Sequence, residues 1–484
     1  MSDRNASYVR TQMLGPQTPP SSQIGAVRWI RENLFNGVLN SLLTLLAMLA
    51  LGSFLLGIGP WLLNSVWNAH SLTQCREILQ GEPGACWGVI NDRWTQLLFG
   101  FYPSDLYWRP VLALLLMFVA LAPVLFPSVP RSLIWFTLAY PFVAFWLIWG
   151  GSLWVPAAVL FGLMLAGLVM QATATSGTLL SVLAGLLMLF AVFGDPLSLV
   201  LNFIGYLGGL PSMQPHVEWM FGALPYPVLG VTPLMLDPSI GGFALRDVFP
   251  LMTPLHQTLS DSLPVTIRAV PSREFGGFMI SIIIGVTGIA LSLPLGILLA
   301  LGRRSNMPLI KVIAVVFIEF IRGVPLITLL FTASLLLNYF LPPGTSFDLI
   351  LRVIIMVTLF ASAYMAEVIR GGLAALPRGQ FEAADALGLD YWKAQRLIVM
   401  PQALKISIPG IVNSFIGLFK DTTLVVFIGL LDPIGLASAI RASSDWQGIY
   451  WELFIFIGAV FWIFCFSMSR YSMHLERRLK TDHR

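Results

Sequence analysis

Charge is scarce in this chain: 11% of its 484 residues are Asp, Glu, Lys or Arg, against 57% that are hydrophobic. The formal net charge of +4 is too small to point to nucleic acid as a partner. Cysteine is rarer still, with three residues, and the five histidines, at 70, 216, 256, 474 and 484, are scattered over loops and the C-terminal tail. The chain has no Cys/His metal spacing, no H-E-x-x-H pair and no G-x-x-x-x-G-K-[ST] phosphate loop. An ATPase or metalloenzyme is therefore not written in this chain, and no catalytic residue or metal ligand is assigned. If it moves solute uphill, a partner or an ion gradient must supply the energy.

What is abundant is apolar length. Mean hydropathy is +0.80, and apolar runs of about 20 residues match what a helix needs to cross a hydrocarbon core of roughly 30 Å. The runs lack the alternation of a barrel, so the expected fold is an all-α polytopic membrane protein. Ten spans are predicted, at 36–66, 110–127, 132–150, 153–172, 178–194, 276–301, 312–341, 349–369, 404–431 and 450–473. The opening 32 residues are polar, with no apolar core near Met1 of the kind a cleaved signal peptide carries. Basic segments up to Arg31, at Arg131, at 302–311, at 379–401 and at 470–484 fall on one side if ten spans are counted, which makes that side cytoplasmic. The segment 197–210 could be a re-entrant piece, and one further full span there would invert everything upstream. Cys75 and Cys86 lie in the first external loop. A disulfide between them would stabilise by roughly 3 kcal/mol in an oxidising periplasm; two free thiols are the other reading.

One polar stretch stands between two apolar runs, GQFEAADALGLDYWKAQRLIVMP at 379–401. Its helix formers, Ala383, Ala384 and Ala386 among them, predict about two helical turns after the helix-disfavouring Pro377-Arg378-Gly379. Gly388 supplies a left-handed stop, Asp390 an N-cap for a second helix, and Pro401 the end of that helix. The result is a compact cytoplasmic knuckle. Glu382 and Asp385 share one face, and small alanines beside them permit close approach, as when a short helix seats in a partner's groove. A solvated loop helix is the plainer alternative.

The spacing of Glu382, Ala383, Ala384, Gly388, Ile398 and Pro401 resembles the E-A-A-x-x-x-G-x(9)-I-x-x-P loop of ATP-binding-cassette (ABC) importer permeases. Further stretches, GIALSLPLGILLALGRRS (288–305), FIEFIRGVPLI (317–327), SAYMAEVIRGGLAALPRGQ (362–380) and NSFIGLFKDTTL (413–424), resemble the polar amino-acid branch. Residues 84–110 are similar to broad-specificity L-amino-acid permeases that work as unequal pairs, whereas 151–272 departs from that pattern.

The resemblance implies a type I importer permease core of five spans over 273–475. A coupling loop lies at 371–402, in which Gln380, Glu382, Ala383, Ala384, Asp385, Gly388, Ile398 and Pro401 meet an ATPase. Polarity and the span positions further predict a cytoplasmic tail at 1–35, an N-terminal membrane extension of about five spans at 36–272 and a short cytoplasmic tail at 476–484. The partners that the resemblance implies are an ATP-binding subunit pair that uses ATP and magnesium, a second permease subunit, a periplasmic amino-acid-binding protein and an L-amino acid. All of this sits in the lipid of a bacterial inner membrane.

Ionisable residues at membrane depth are costly and usually face a bundle interior or water. Glu319 and Arg322, three apart before Gly323 and Pro325, suggest a structural ion pair near a bend in the cytoplasmic half, with a path or gate role in contact with substrate as the alternative. Glu367 and Arg370, at the cytoplasmic exit toward the loop, suggest gate or loop-positioning residues, with snorkelling as the alternative. Asn413, Lys420, Asp421, Thr422 and Thr423 are candidates for the path lining or the seam between subunits. An ion-coupled secondary transporter is the competing class. Such carriers commonly repeat a discontinuous-helix core in two halves, and no second copy precedes residue 270.

Overall fold

The computed structural model describes residues 25–126, 128–173, 265–336 and 348–481, with isolated positions between 185 and 263. The predicted fifth span (178–194) and the ambiguous 197–210 lie outside the described residues. The chain divides into two compact units, residues 1–91 and 92–484.

The first unit holds α1 (Gly25–Asn33), α2 (Val38–Leu63) and α3 (Leu72–Leu79). α2 carries no Asp, Glu, Lys or Arg over its 26 residues, as a helix bathed in lipid requires. Beyond it Cys75, in α3, is bonded to Cys86 with the Cα atoms 6.1 Å apart, so the bridged reading of the two thiols holds. Val66 and Cys86 form an isolated parallel β-bridge, and Trp67 stacks on Trp87 at 5.7 Å.

The second unit receives α4 (Gly88–Phe99) from residue 92 onward. It continues with α5 (Trp108–Leu125), α6 (Ile134–Trp149) and α7 (Trp154–Ala172). The core follows: α8 (Gly277–Arg303), α9 (Pro308–Gly323), α10 (Leu326–Phe331), α11 (Leu349–Ala374), α12 (Arg378–Ala386), α13 (Tyr391–Ala394), α14 (Met400–Asp421), α15 (Pro433–Arg441) and α16 (Trp451–Thr481). Among the described residues seven helices are long and apolar enough to cross a membrane, or eight when α9 and α10 are counted as one span. That predicted span is not straight. It turns by 103° between Gly323 and Leu326, because Pro325 has no N–H to continue the helical ladder.

Lipid tails are as apolar as leucine, so these helices associate by close packing rather than by the hydrophobic effect. α8, α11 and α14 make the centre. A Cβ at Gly296 in α8 would stand 2.7 Å from the Met365 side chain of α11, so only glycine lets the two backbones approach there. Ile318, Met365, Ile369, Val399 and Ala403 are fully buried around that contact.

Contacts at the two ends give the crossing directions of the second unit. At one end Tyr102 donates to the carbonyl of Ile148 (2.8 Å), Gly151–Ser152 pairs antiparallel with Thr266–Ile267, and Gly277 N–H reaches the carbonyl of Leu431 at 2.8 Å. At the other, Tyr471 donates to the carbonyl of Leu125 at 2.6 Å, and Arg303, Arg304, Arg370, Arg378 and Arg396 gather near the knuckle. The basic end is cytoplasmic by the positive-inside rule. Residues 151 and 267 meet at the outer end, and α6 and α8 both run between that end and the basic one. Single cysteines at Ser128 and Asn306, in a Cys465→Ser background, should therefore react alike with an impermeant thiol reagent and oppositely to one at Gln447. Opposite labelling of positions 128 and 306 would contradict the pairing of Gly151–Ser152 with Thr266–Ile267.

Asp432 sets a pH dependence at the outer end. It is 0% exposed, and one oxygen N-caps α15 by accepting from Gly435 N–H at 2.8 Å while the other has no donor. Burial pushes its carboxyl from 3.8 up to about 6. The folded state then favours the neutral form, so Asp432 destabilises increasingly as pH rises from the unfolded value toward the folded one. Asp432→Asn keeps a capping oxygen without the charge. It should raise the thermal midpoint at pH 7.5, and the advantage should vanish near pH 4. A pH-independent difference would contradict this assignment.

Candidate functional site

The knuckle is built as a helix, a turn and a second helix. α12 ends in a Schellman arrangement: Leu389 N–H bonds to the carbonyl of Ala384 (3.2 Å) and Gly388 N–H to that of Asp385 (2.9 Å). Gly388 has φ +67°, the left-handed conformation that costs a residue with a Cβ. Asp390 then accepts from Lys393 N–H at 2.9 Å as the N-cap of α13 and contacts the Lys393 ammonium at 2.9 Å. The Lys393 N–H, then its ammonium, hold the Asp390 carboxyl below the usual carboxylate range.

The expectation that Pro401 stops this helix needs correction. A π-helical segment, Gln395–Val399, follows α13 and leads directly into α14, with Met400 N–H bonding to the carbonyl of Gln395. Proline at 401 cannot donate and crowds the carbonyl four residues back; the wider i→i+5 turn absorbs both problems, so the chain continues. Ile398 lies within that π segment and is half-buried, while Pro401 is exposed. The second helix of the knuckle and the long span are thus one continuous helical stretch.

The root of the knuckle is fixed. Gln402 donates to Gln380 at 2.9 Å, Arg304 lies over the Phe381 ring at 5.4 Å, and Leu376 and Val399 are buried. Ala384 is 1% exposed and seats α12 on the core. Its tip is bare: Glu382, Ala383, Asp385 and Gly388 are all exposed, and neither carboxylate has an ion-pair partner among the described residues. Sequence reasoning missed three neighbours, Leu387, Tyr391 and Trp392, which are 72%, 54% and 56% exposed. The available signal was large apolar residues inside a polar loop. Together they form an exposed apolar tip beside two carboxylates.

Above the knuckle, five ionisable residues gather from three helices, but not as expected. Glu319 does not pair with Arg322 three residues on; it binds Arg303 of α8 at 2.7 Å. Arg322 points instead toward Glu367 of α11 (4.0 Å) and lies over the Tyr364 ring. Interhelical partners prevail because the helix packing brings α8 and α11 within reach of α9. Glu367, 16% exposed in its side chain, is the hub: it meets Arg370 at 2.9 Å and Arg303 at 2.9 Å as well. Arg303 was not singled out, having been read only as a topological signal.

The remaining candidates lie toward the outer end of α14. Asn413 and Lys420, two turns apart, are exposed on one face, and Asp421 is half-buried. Thr422 is 1% exposed, its hydroxyl donating to the Phe419 carbonyl at 2.8 Å, and Thr423 donates likewise to that of Lys420 at 2.9 Å. These bonds accompany the change from α14 to the 3₁₀ segment Thr422–Ile428. The buried, satisfied Thr422 is therefore a structural residue, not a lining group.

Seven or eight apolar spans among the described residues, with the knuckle between two of them, define a multi-pass membrane protein. Residues 292–481 match the family described as binding-protein-dependent transport system inner membrane component, and the chain belongs to that family. It is 53% identical over 490 residues, covering 100% of both chains, to the glutamate/glutamine/aspartate/asparagine transport system permease protein BztC of Rhodobacter capsulatus. It is 34% identical, over 96% of both chains, to the inner membrane amino-acid ABC transporter permease protein YhdY of Escherichia coli. A solved amino acid ABC transporter with histidines is 30% identical over 41% of this chain and 91% of its own, with a TM-score of 0.38.

Proposed function

We propose that this chain is the permease subunit of an ATP-driven importer of polar L-amino acids, forming half of the translocation path with a second permease. Its energy comes from separate ATPase subunits, which hold ATP and magnesium and seat on Glu382, Asp385 and the apolar tip of the knuckle. A periplasmic binding protein delivers the amino acid. The observation that carries the reading is likeness along the whole length, extension and core together, to the Rhodobacter permease, whose name specifies glutamate, glutamine, aspartate and asparagine. The continuous helical stretch from the knuckle's second helix to α14 supports it, since ATPase closure would move Lys420 and Asp421 through one helix. Coupling requires each partner to favour one state of the permease over the other.

The test is reconstitution of the complete complex in liposomes with its binding protein and a panel of amino acids. Glutamate, glutamine, aspartate and asparagine should stimulate ATP hydrolysis and accumulate inside. Uptake driven by an ion gradient without ATP, or no stimulation by any amino acid, would overturn the reading.

A further inference from the structure

The N-terminal extension touches the core at the outer end through a small polar cluster that the transport reading does not use. Trp446, in the turn between α15 and α16, is 0% exposed, and its indole N–H donates to Asp92 of α4 at 3.1 Å. Arg93, the next residue, contacts Asp92 at 2.9 Å and Asp445 at 3.2 Å. These residues lie more than 350 positions apart in sequence.

The turn they grip belongs to the outer loop 429–450. Its other end is held at Leu431, whose carbonyl accepts from Gly277 N–H at the start of α8. Immediately before that anchor runs the 3₁₀ segment Thr422–Ile428, which continues from Lys420 and Asp421. A shift of the loop therefore reaches those two residues along a short, hydrogen-bonded segment.

Packing already joins the extension to the core without this cluster. Leu97 and Phe275 are buried, Gly100 bridges to Phe275, and Phe101 N–H reaches the Glu274 carbonyl at 3.1 Å. The Asp92 and Arg93 side chains are 29% and 32% exposed, so their bonds are modest and can yield when something presses on the loop. A grip that is dispensable for packing but placed on the outward-facing loop suits control of that loop's position.

We propose that Asp92 and Arg93 are positioning residues that hold the outer loop 429–450, through Trp446 and Asp445, in the arrangement that receives the binding protein. This rests on the importer reading above. The extension thereby acts on transport from outside the five-span core. Trp446→Phe keeps the ring and loses only the donor; Asp92→Ala removes the acceptor.

The experiment titrates glutamine-loaded binding protein against the complete complex in proteoliposomes. Each variant should raise about tenfold the concentration needed for half-maximal ATPase stimulation. Complex yield and the ATPase rate without binding protein should stay at wild-type values. The double variant should be no worse than Asp92→Ala alone, because that variant already removes the bond Trp446→Phe breaks. An unchanged half-maximal concentration would overturn the proposal. So would a proportional fall of basal and stimulated rates, which a purely structural role would produce. If the wild-type complex itself fails to respond to binding protein, the importer reading fails and this proposal falls with it.

Discussion

Glu382→Lys should cripple uptake while leaving the permease folded and inserted. Glu382 is exposed and makes no ion pair among the described residues, and surface substitutions of that kind usually shift stability by less than about 0.5 kcal/mol. Reversing the charge, however, sets like against like wherever the ATPase supplies a basic groove. Losing a desolvated charged contact at an interface costs roughly 2–5 kcal/mol, more than tenfold in affinity. Gly388→Val should give a similar loss by another route. At φ +67° a β-branched residue is strained, so the turn would open and the apolar tip of Leu387, Tyr391 and Trp392 would be misaimed. The two variants separate in a rescue: an acidic substitution in the ATPase groove should restore Glu382→Lys and leave Gly388→Val defective. Wild-type ATPase affinity and uptake in both would reduce the knuckle to a solvated loop.

Glu367→Gln is the second large effect, and its readout is stability. Glu367 faces Arg303, Arg322 and Arg370, and neutralising it leaves those guanidinium groups facing one another with only Glu319 as counter-charge. Breaking a fully buried pair costs about 3–5 kcal/mol. The loss here should be smaller, because the arginine side chains are 24–43% exposed and solvent screens them. The thermal midpoint of the purified permease should fall, and Arg370→Gln in the same chain should recover part of the loss by removing one of the unmatched charges. A wild-type midpoint for Glu367→Gln would show that the hub contributes nothing measurable.

Much of the knuckle was legible in residues because its rules are local. Helix formers, a glycine able to take positive φ and an aspartate at an N-cap position act over a few residues, and α12, the turn and α13 follow them. Pro401 misled because a proline's local rule is to end a helix. Here continuation depends on packing around Val399 and Ala403, both fully buried, which holds the chain helical while a π turn relieves the clash. The ion pairs misled for a related reason. Spacing of three along one helix proposes a partner, but it carries no information about α8 and α11, whose side chains compete for the same charges.

Sequence by itself determined the solvent of this protein. Apolar length and the placement of Lys and Arg are properties of the chain, and lipid admits few answers to them. It also determined the knuckle's turn, since only local conformation is at stake there. The tertiary structure decided which arginine meets which carboxylate, that the knuckle's second helix runs unbroken into α14, and that α4 grips the outer loop through Trp446. Each of these depends on groups distant in sequence being brought within about 3 Å by helix packing, and short-range pairing energies cannot be read until the packing that sets their distances exists.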